Sequence, residues 1–267
     1  MTQKVRHILP VSGGKDSAAL AVFMRDRLPD VEYAFCDTGE ELPETYDYIN
    51  RLEVYLGKPI HRLNPDRLFA HYLAMKNGYL PSPRMRWCTQ MLKIKPFETF
   101  VGDGPVVSYI GIRADEDREA YISHKPNIQP AYPFREAGIV LSDVRRILED
   151  AGLGLPSYYS WRSRSGCYFC FFQQRIEWIG LLDNHPDLYE KAAQFEHCNS
   201  SDGRKYTWAD GESLAEVRVR RHEIEESHRK MMERAASRAG FHVPLSEVFS
   251  ACIDMQETDE PCLICQL

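Results

Sequence analysis

Val5-Arg6-His7-Ile8-Leu9-Pro10-Val11 leads into Ser12-Gly13-Gly14-Lys15-Asp16-Ser17, and the chain continues as Ala18 to Arg27. The first run reads as a strand and the last as a helix, so the block between them is a strand-to-helix turn. Two adjacent glycines let the backbone turn tightly and come close to a ligand. The amides of Gly13 to Ser17 are then expected to point into one concavity at a helix N-terminus, a setting that favours phosphate oxygens. Lys15 adds a point charge, and Ser12 and Ser17 add hydroxyl donors. The spacing G-x-x-x-x-G-K-[ST] is absent, so this is not a Walker A loop. The competing reading is a glycine turn in an ordinary βα unit. The order strand, Gly-Gly-Lys-Asp-Ser, helix favours the phosphate loop.

Outward from this block, strand and helix signals alternate. Val31 to Cys36 reads as a second strand. Pro43 to Leu56 reads as a helix, with proline in its first turn and Gly57 just past its end. Ile60 to Leu63 and Val106 to Ile112 read as strands, and Leu141 to Ala151 as a helix stopping at Gly152. The pattern predicts an α/β fold, a mostly parallel sheet with helices on both faces. Ligands in such sheets sit at the carboxyl ends of the strands, where the phosphate loop and Asp37 both fall. After about Pro156 the pattern changes to a cysteine loop followed by helices, with Ser213 to Ala239 read as one long charged helix. There is no clean linker. The expected layout is a nucleotide-binding α/β domain over 1–175 and a helical extension with a cysteine-containing tail over 176–267, packed on it.

The 267 residues, 43% hydrophobic, suffice for one large core or a core plus an appendage. With a net charge of −6 the chain as a whole does not coat a polyanion, so any phosphate partner must meet a local patch. No apolar leader or membrane-spanning stretch is evident, and the expected location is the cytoplasm, away from any membrane. There are eight cysteines, Cys36, Cys88, Cys167, Cys170, Cys198, Cys252, Cys262 and Cys265. In a reducing compartment the pairs Cys167/Cys170 and Cys262/Cys265 point to metal or redox chemistry rather than disulfides.

Asp37 closes the second strand, where an acid can hold a ribose hydroxyl or a phosphate-bound Mg²⁺; the alternative is a turn or cap. Arg113 and Arg118 follow another strand end and could fork onto phosphate or sulfate oxygens. Alternatively, Asp115, Glu116 and Asp117 simply pair with them. No acid lies between Pro81 and Phe97, around Cys88, nor between Ala151 and Ile176, around Cys167 and Cys170. Arginines and lysines are present in both segments. This is a setting for thiolates offset by cations, with an anionic substrate nearby, and it suits a thiolate-ligated iron–sulfur cluster. Cys36 and Cys252 read as small buried hydrophobes.

Several blocks occur together in one order: Ser12 to Ser17; Asp37-Thr38-Gly39 with Pro43-Glu44-Thr45; Arg86-Trp87-Cys88-Thr89 with Leu92-Lys93; Gly111-Ile112-Arg113; and Pro156-Ser157-Tyr158-Tyr159 with Arg164-Ser165-Gly166-Cys167. In this the chain resembles the phosphoadenosine phosphosulfate reductase-like family of the adenine nucleotide α-hydrolase, or PP-loop, superfamily, a Rossmann-like fold. The resemblance covers about the first two thirds of the chain and implies ATP or a related nucleotide on Ser12, Gly13, Gly14, Lys15, Asp16, Ser17 and Asp37. Lys15, Asp16, Arg113 and Arg118 are the implied catalytic residues, with Mg²⁺. In cluster-bearing reductases a Cys-Cys pair and a later Cys-x-x-Cys ligate a [4Fe–4S] cluster. Here Cys88, Cys167 and Cys170 match three of the four, and Trp87 replaces the first. The fourth ligand is expected from Cys262, with Cys198 and Cys265 as alternatives, or the site is open.

A three-cysteine cluster resembles that of sulfur-inserting tRNA thiolation enzymes, and Arg-Trp-Cys-Thr resembles the ATP pyrophosphatases of DNA phosphorothioation, which pair with a cysteine desulfurase. The reductases' terminal Glu-Cys-Gly-Leu/Ile-His is matched only loosely by Glu260-Pro261-Cys262. The expected function is therefore ATP α-phosphate cleavage supporting sulfur transfer to nucleic acid. A sulfated-nucleotide reductase and a non-catalytic nucleotide-binding subunit are the alternatives. The Arg- and Lys-rich helix near the C-terminus carries five interleaved glutamates and reads as a solvated, ion-paired surface rather than a nucleic-acid face. Oligomeric state is not legible in the sequence.

Overall fold

The computed structural model describes residues 4–117, 125–198 and 205–238. Arg118, Cys252, Cys262 and Cys265 lie outside these, and the side chain of Cys198 is not described. Five parallel strands form the sheet: β1 (Arg6–Pro10), β2 (Glu32–Cys36), β3 (Ile60–Leu63), β4 (Val106–Tyr109) and β5 (Ile128–Ala131). Their order is β3-β2-β1-β4-β5, so the connection reverses direction between β1 and β4. That reversal opens a crevice at the carboxyl ends of β1 and β4, the usual ligand position in such sheets.

Period-two alternation builds both faces. Leu9, Val11, Tyr33 and Phe35 pack beneath α1 (Lys15–Met24), α2 (Pro43–Leu56) and, through Val144 and Leu148, α7 (Leu141–Asp150). Ile8, Ala34 and Cys36 face the other way, onto Phe97 and Val101. Those two belong to α5 (Lys95–Val101), reached through α3 (Phe69–Met75), α4 (Trp87–Thr89) and a π-helical turn at Gln90–Ile94. A short α6 (Pro133–Glu136) follows β5. Helices lie on both faces, as predicted.

A second core gathers aromatic residues from both halves of the chain. Phe69, Trp87, Tyr158, Tyr168, Phe169, Trp178 and Trp208 are all buried in it. It joins the cysteine segments to α8 (Arg175–Asn184), α9 (Pro186–Ala193) and α10 (Leu214–Val219). A two-residue hairpin pair, β6 (His197–Cys198) and β7 (Lys205–Tyr206), precedes α10.

Two boundaries differ from expectation. The first helix begins at Lys15 rather than Ala18, so Lys15, Asp16 and Ser17 form its first turn. The single helix expected from Ser213 is two, α10 and α11 (Arg221–Arg238), broken at Arg220. Arg220 is drawn onto Glu212 at 2.6 Å and Glu223 at 2.7 Å. The face beyond carries the ion pairs expected of a solvated helix, Arg221–Glu225 and Lys230–Glu226 among them. No described helix is long and apolar enough to cross a membrane.

Candidate functional site

Gly13 takes φ +77°, and a Cβ placed there would come within 2.6 Å of Thr45 Cγ2, so the turn needs glycine. Across the crevice, a Cβ on Gly111 would sit 3.0 Å from the Asp16 carbonyl oxygen. Glycine there lets the segment after β4 close against the first turn of α1. The 3₁₀ turn Ser157–Ser160 then covers the loop. The Tyr158 hydroxyl donates to the Gly13 carbonyl at 2.8 Å, and the Lys15 amide donates to the Tyr159 hydroxyl at 3.1 Å. The Ser165 hydroxyl reaches Ser12 Oγ at 3.3 Å.

The loop amides are therefore not all open, as the sequence reading expected. Those of Ser12, Gly14 and Lys15 donate to the hydroxyls of Ser17, Ser12 and Tyr159. Hydroxyl oxygens stand where an anion's oxygens would compete for the same donors. Tyr158, Tyr159 and Ser165 were visible in the sequence only as part of a family motif. Their role follows from the fold, which brings positions about 145 residues apart together.

Tyr159→Phe removes the acceptor from the Lys15 amide. A net hydrogen bond is worth about 1 kcal/mol. The expected result is ATP or pyrophosphate binding tighter by about fivefold, with a small fall in melting temperature because the amide loses its partner in the free protein. Calorimetric titration reads the first and a thermal melt the second. Weaker binding in the variant would show instead that Tyr159 contacts the ligand.

Lys15 and Asp16 are not on an exposed turn. Lys15 is 2% exposed, with Nζ 3.6 Å from Asp16 Oδ2 and 5.2 Å from the Tyr159 ring centre. Asp16 Oδ1 lies 2.8 Å from Arg113 Nη1. Arg113, 4% exposed, also pairs with Asp115 and Glu116, each at 3.0 Å. Burial alone would push its guanidinium toward neutrality. The carboxylates of Asp16, Glu116 and Asp115 more than reverse this and hold it charged. Arg113 thus faces carboxylates, the alternative left open in the sequence, and fixes Asp16 at the helix start.

Asp37 accepts from the Gly39 amide at 3.0 Å and the Tyr46 hydroxyl at 2.7 Å. It is a turn cap by geometry. Both donors are neutral, and the side chain sits at the carboxyl edge of β2.

Cys88, Cys167 and Cys170 converge. They line one cavity with Thr38, Thr89, Lys93, Gly166, Phe171 and a few apolar residues; no carboxylate lines it. Cys167 is tied to the segment after β2. Its Sγ is 3.2 Å from Thr38 Oγ1 and 3.8 Å from Glu41 Oε1, and its backbone bridges Glu41. Arg162, 1% exposed, donates to the carbonyls of Gly166 and Cys167 at 3.1 and 2.8 Å and holds the loop in shape. Burial pushes the Cys88 thiol up to about 12 and the Cys167 thiol well above its usual range. Burial likewise raises the Glu41 carboxyl, against the opposing field of Lys93. Glu41 is a site neighbour that the sequence reading missed; the only available signal was its place three residues after Thr38.

Among the described residues no three His, Cys, Asp or Glu side chains are grouped to hold a metal ion. The donor set instead suits a thiolate-held cluster in kind: three cysteines on one cavity free of carboxylates, with a lysine on its wall. Cys36 is 2% exposed in the sheet core and donates to the Lys93 carbonyl, apart from that cavity. Trp87 is core. It stacks on Phe69 with ring centres 5.2 Å apart, and its indole N–H donates to the Tyr79 carbonyl.

The Ser12–Ser17 turn at the sheet's switch point is joined through Ser165 to the segment that carries the cysteine cavity. Residues 6–129 match the phosphoadenosine phosphosulfate reductase domain family. Over that stretch, a little under half of its length, the chain is similar to phosphoadenosine phosphosulfate reductase domains. An uncharacterized protein of Methanocaldococcus jannaschii is 26% identical over 67% of this chain and 39% of its own length. An adenosine 5'-phosphosulfate reductase of Staphylococcus haemolyticus is 31% identical over 39% of this chain and 43% of its own. A tRNA-specific 2-thiouridylase of Actinobacillus pleuropneumoniae is 25% identical over 64% of this chain and 51% of its own. The chain thus spans about half, or less, of the length of the curated relatives it matches. The matched region contains the Ser12–Ser17 turn, Asp37, Cys88 and Arg113, while Cys167 and Cys170 follow it.

Proposed function

We propose that this protein cleaves ATP at the α-phosphate to activate an acceptor for sulfur transfer, the acceptor being a nucleic acid, as in DNA phosphorothioation. The observation that carries the reading is the physical continuity of loop and cavity. Ser165 touches Ser12 of the phosphate loop, and two residues later Cys167 opens onto the cavity.

The chemistry follows in two displacements. An acceptor oxygen attacks the α-phosphorus, the bond to the bridging oxygen breaks, and pyrophosphate leaves with the electron pair. A sulfur nucleophile then displaces AMP from the activated acceptor. Lys15 and the N-terminus of α1 stabilise the charge building on pyrophosphate. Asp16, fixed by Arg113, holds the Lys15 ammonium in place. Asp37 would share a Mg²⁺ with the phosphates, since such ions use one or two carboxylates and keep water as well. Cys88, Cys167 and Cys170 would hold an iron–sulfur cluster, which when bound supplies Lewis-acidic iron able to carry sulfur. A cysteine desulfurase is the fitting sulfur donor; its persulfide sulfur ends as the thio group only after a thiol reductant supplies two electrons and leaves as a disulfide.

Pyrophosphate release from ATP, measured with no acceptor and with single-stranded DNA, duplex DNA or tRNA, tests the reading. Stimulation by one nucleic acid is expected. Absence of ATP turnover under every condition sinks it.

A second reading has a specific observation behind it, the 31% identity to an adenosine 5'-phosphosulfate reductase. Against it, the position of the first cluster cysteine is held by Trp87, buried and stacked, with no thiol to offer. The expected outcome is no sulfite from adenylyl sulfates with thioredoxin as reductant. Steady sulfite production would reverse the order of the two readings.

A further inference from the structure

Phe172 lies just beyond the cysteine cavity. Its ring contacts that of Phe171, a cavity wall residue, with centres 4.5 Å apart. Two guanidiniums are set against the same ring: Arg86 at 5.0 Å from its centre and Arg164 at 5.3 Å. All three side chains are half-buried, not sealed. Arg86 is further fixed by donating to the Pro83 carbonyl at 2.9 Å.

Each cation–ring contact is favourable by itself. Neither arginine's own segment contains an acid, from Ser82 to Pro96 or from Ala151 to Ile176. Exposed Arg84 and Met85 continue the first segment beside Arg86. In a chain of net charge −6 this is a local basic and aromatic rim, next to Phe171 on the wall of the cysteine cavity.

We propose that Arg86, Phe172 and Arg164 form the acceptor-binding rim, taking a single strand of nucleic acid with an unpaired base on the Phe172 platform and flanking phosphates on the two guanidiniums. The assignment rests on the nucleic-acid reading above and makes it specific. A strand offers both features the rim complements. Phosphate oxygens match the forked guanidinium donors, and any base presents a face for stacking. An unpaired base can leave its neighbours to reach the platform, whereas one inside a duplex cannot without flipping. The charged face of α11, with its internal ion pairs, is not needed for this.

The test is fluorescence anisotropy with labelled strands of about 16 nucleotides, the upper site size of one binding module, in DNA, RNA and duplex forms. Salt is varied from about 50 to about 200 mM. Salt-dependent binding of single strands by the full chain is expected, stronger than binding of duplex. The DNA and RNA arms identify which strand is the acceptor. Arg86→Gln and Arg164→Gln should each lessen the slope of log K against log salt by about 0.7, one phosphate contact on a single strand. Phe172→Leu should weaken binding about tenfold at fixed salt while leaving the slope unchanged. That separation of charge from stacking is one that a merely structural role does not produce.

Thermal melts check the fold of each variant. If Phe172→Leu unfolds, the slope change in Arg86→Gln decides. The assignment is overturned if the wild-type chain binds no single strand, binds duplex better, or binds equally with all three variants. ATP affinity measured on the same samples keeps the two readings apart: strand binding without ATP binding sinks the ATP chemistry, and ATP binding without strand binding sinks this rim.

Discussion

Arg113→Ala should cost about 3–5 kcal/mol of stability, the usual consequence of removing one partner from a buried charge network. Arg113 is 4% exposed and pairs with Asp16, Asp115 and Glu116. Without it, Asp16 and Glu116, whose side chains are 14% and 12% exposed, lose much of their compensation. Asp16 also anchors Lys15, so ATP affinity should fall with stability. The midpoint of urea unfolding reads the first effect and calorimetric titration the second. Arg113→Lys should recover only part of both, because a point charge cannot serve several carboxylates in a fixed fork. A loss below about 1 kcal/mol, the range of an exposed pair, would mean that the network is solvated and Arg113 is free to serve the ligand instead. Lys15→Ala belongs to the same expectation. Lys15 is 2% exposed, so its removal should lower stability as well as nucleotide affinity, not affinity alone.

The contrast between Lys15 and Gly13 shows what the sequence could carry. The fold was legible because it is written in local terms: alternation in β1 and β2, Pro43 and Gly57 bracketing α2, and glycines at the crevice. β5 escaped because Pro130 sits within it, and a proline inside a short run argues against a strand. It is tolerated because β5 is the edge of the sheet. Three cysteines picked out in the sequence, Cys88, Cys167 and Cys170, do meet on one cavity. The environment of the site was not legible. Whether Arg113 faces phosphate or carboxylate depends on Asp16, 97 residues away, and on how tightly Gly111 lets two loops close. Tyr159 and Glu41 escaped for the same reason, because each acts through a partner that only the fold supplies.

That cavity yields the second large expectation. Protein purified without oxygen should be brown, with broad visible absorbance from thiolate-to-iron charge transfer. Cys88→Ser, Cys167→Ser and Cys170→Ser should each lose most of the iron, because a cluster held by three thiolates has none to spare. Cys36→Ser is the internal control. Cys36 is packed among Ile8, Phe97 and Val101 in the sheet core, so its variant should keep its iron and lose only some stability. Iron content per chain and the visible spectrum measure this without any assay of turnover. The burial that holds the thiols protonated also sets a condition. Loading must expel their protons, and iron would add the compensation that Lys93, Thr38 and Thr89 supply only in part against burial. Colourless protein with one zinc per chain would replace the cluster with a structural ion. Iron retained equally in all four variants would place the iron elsewhere and leave the cavity as a sulfur-handling thiol pocket without metal.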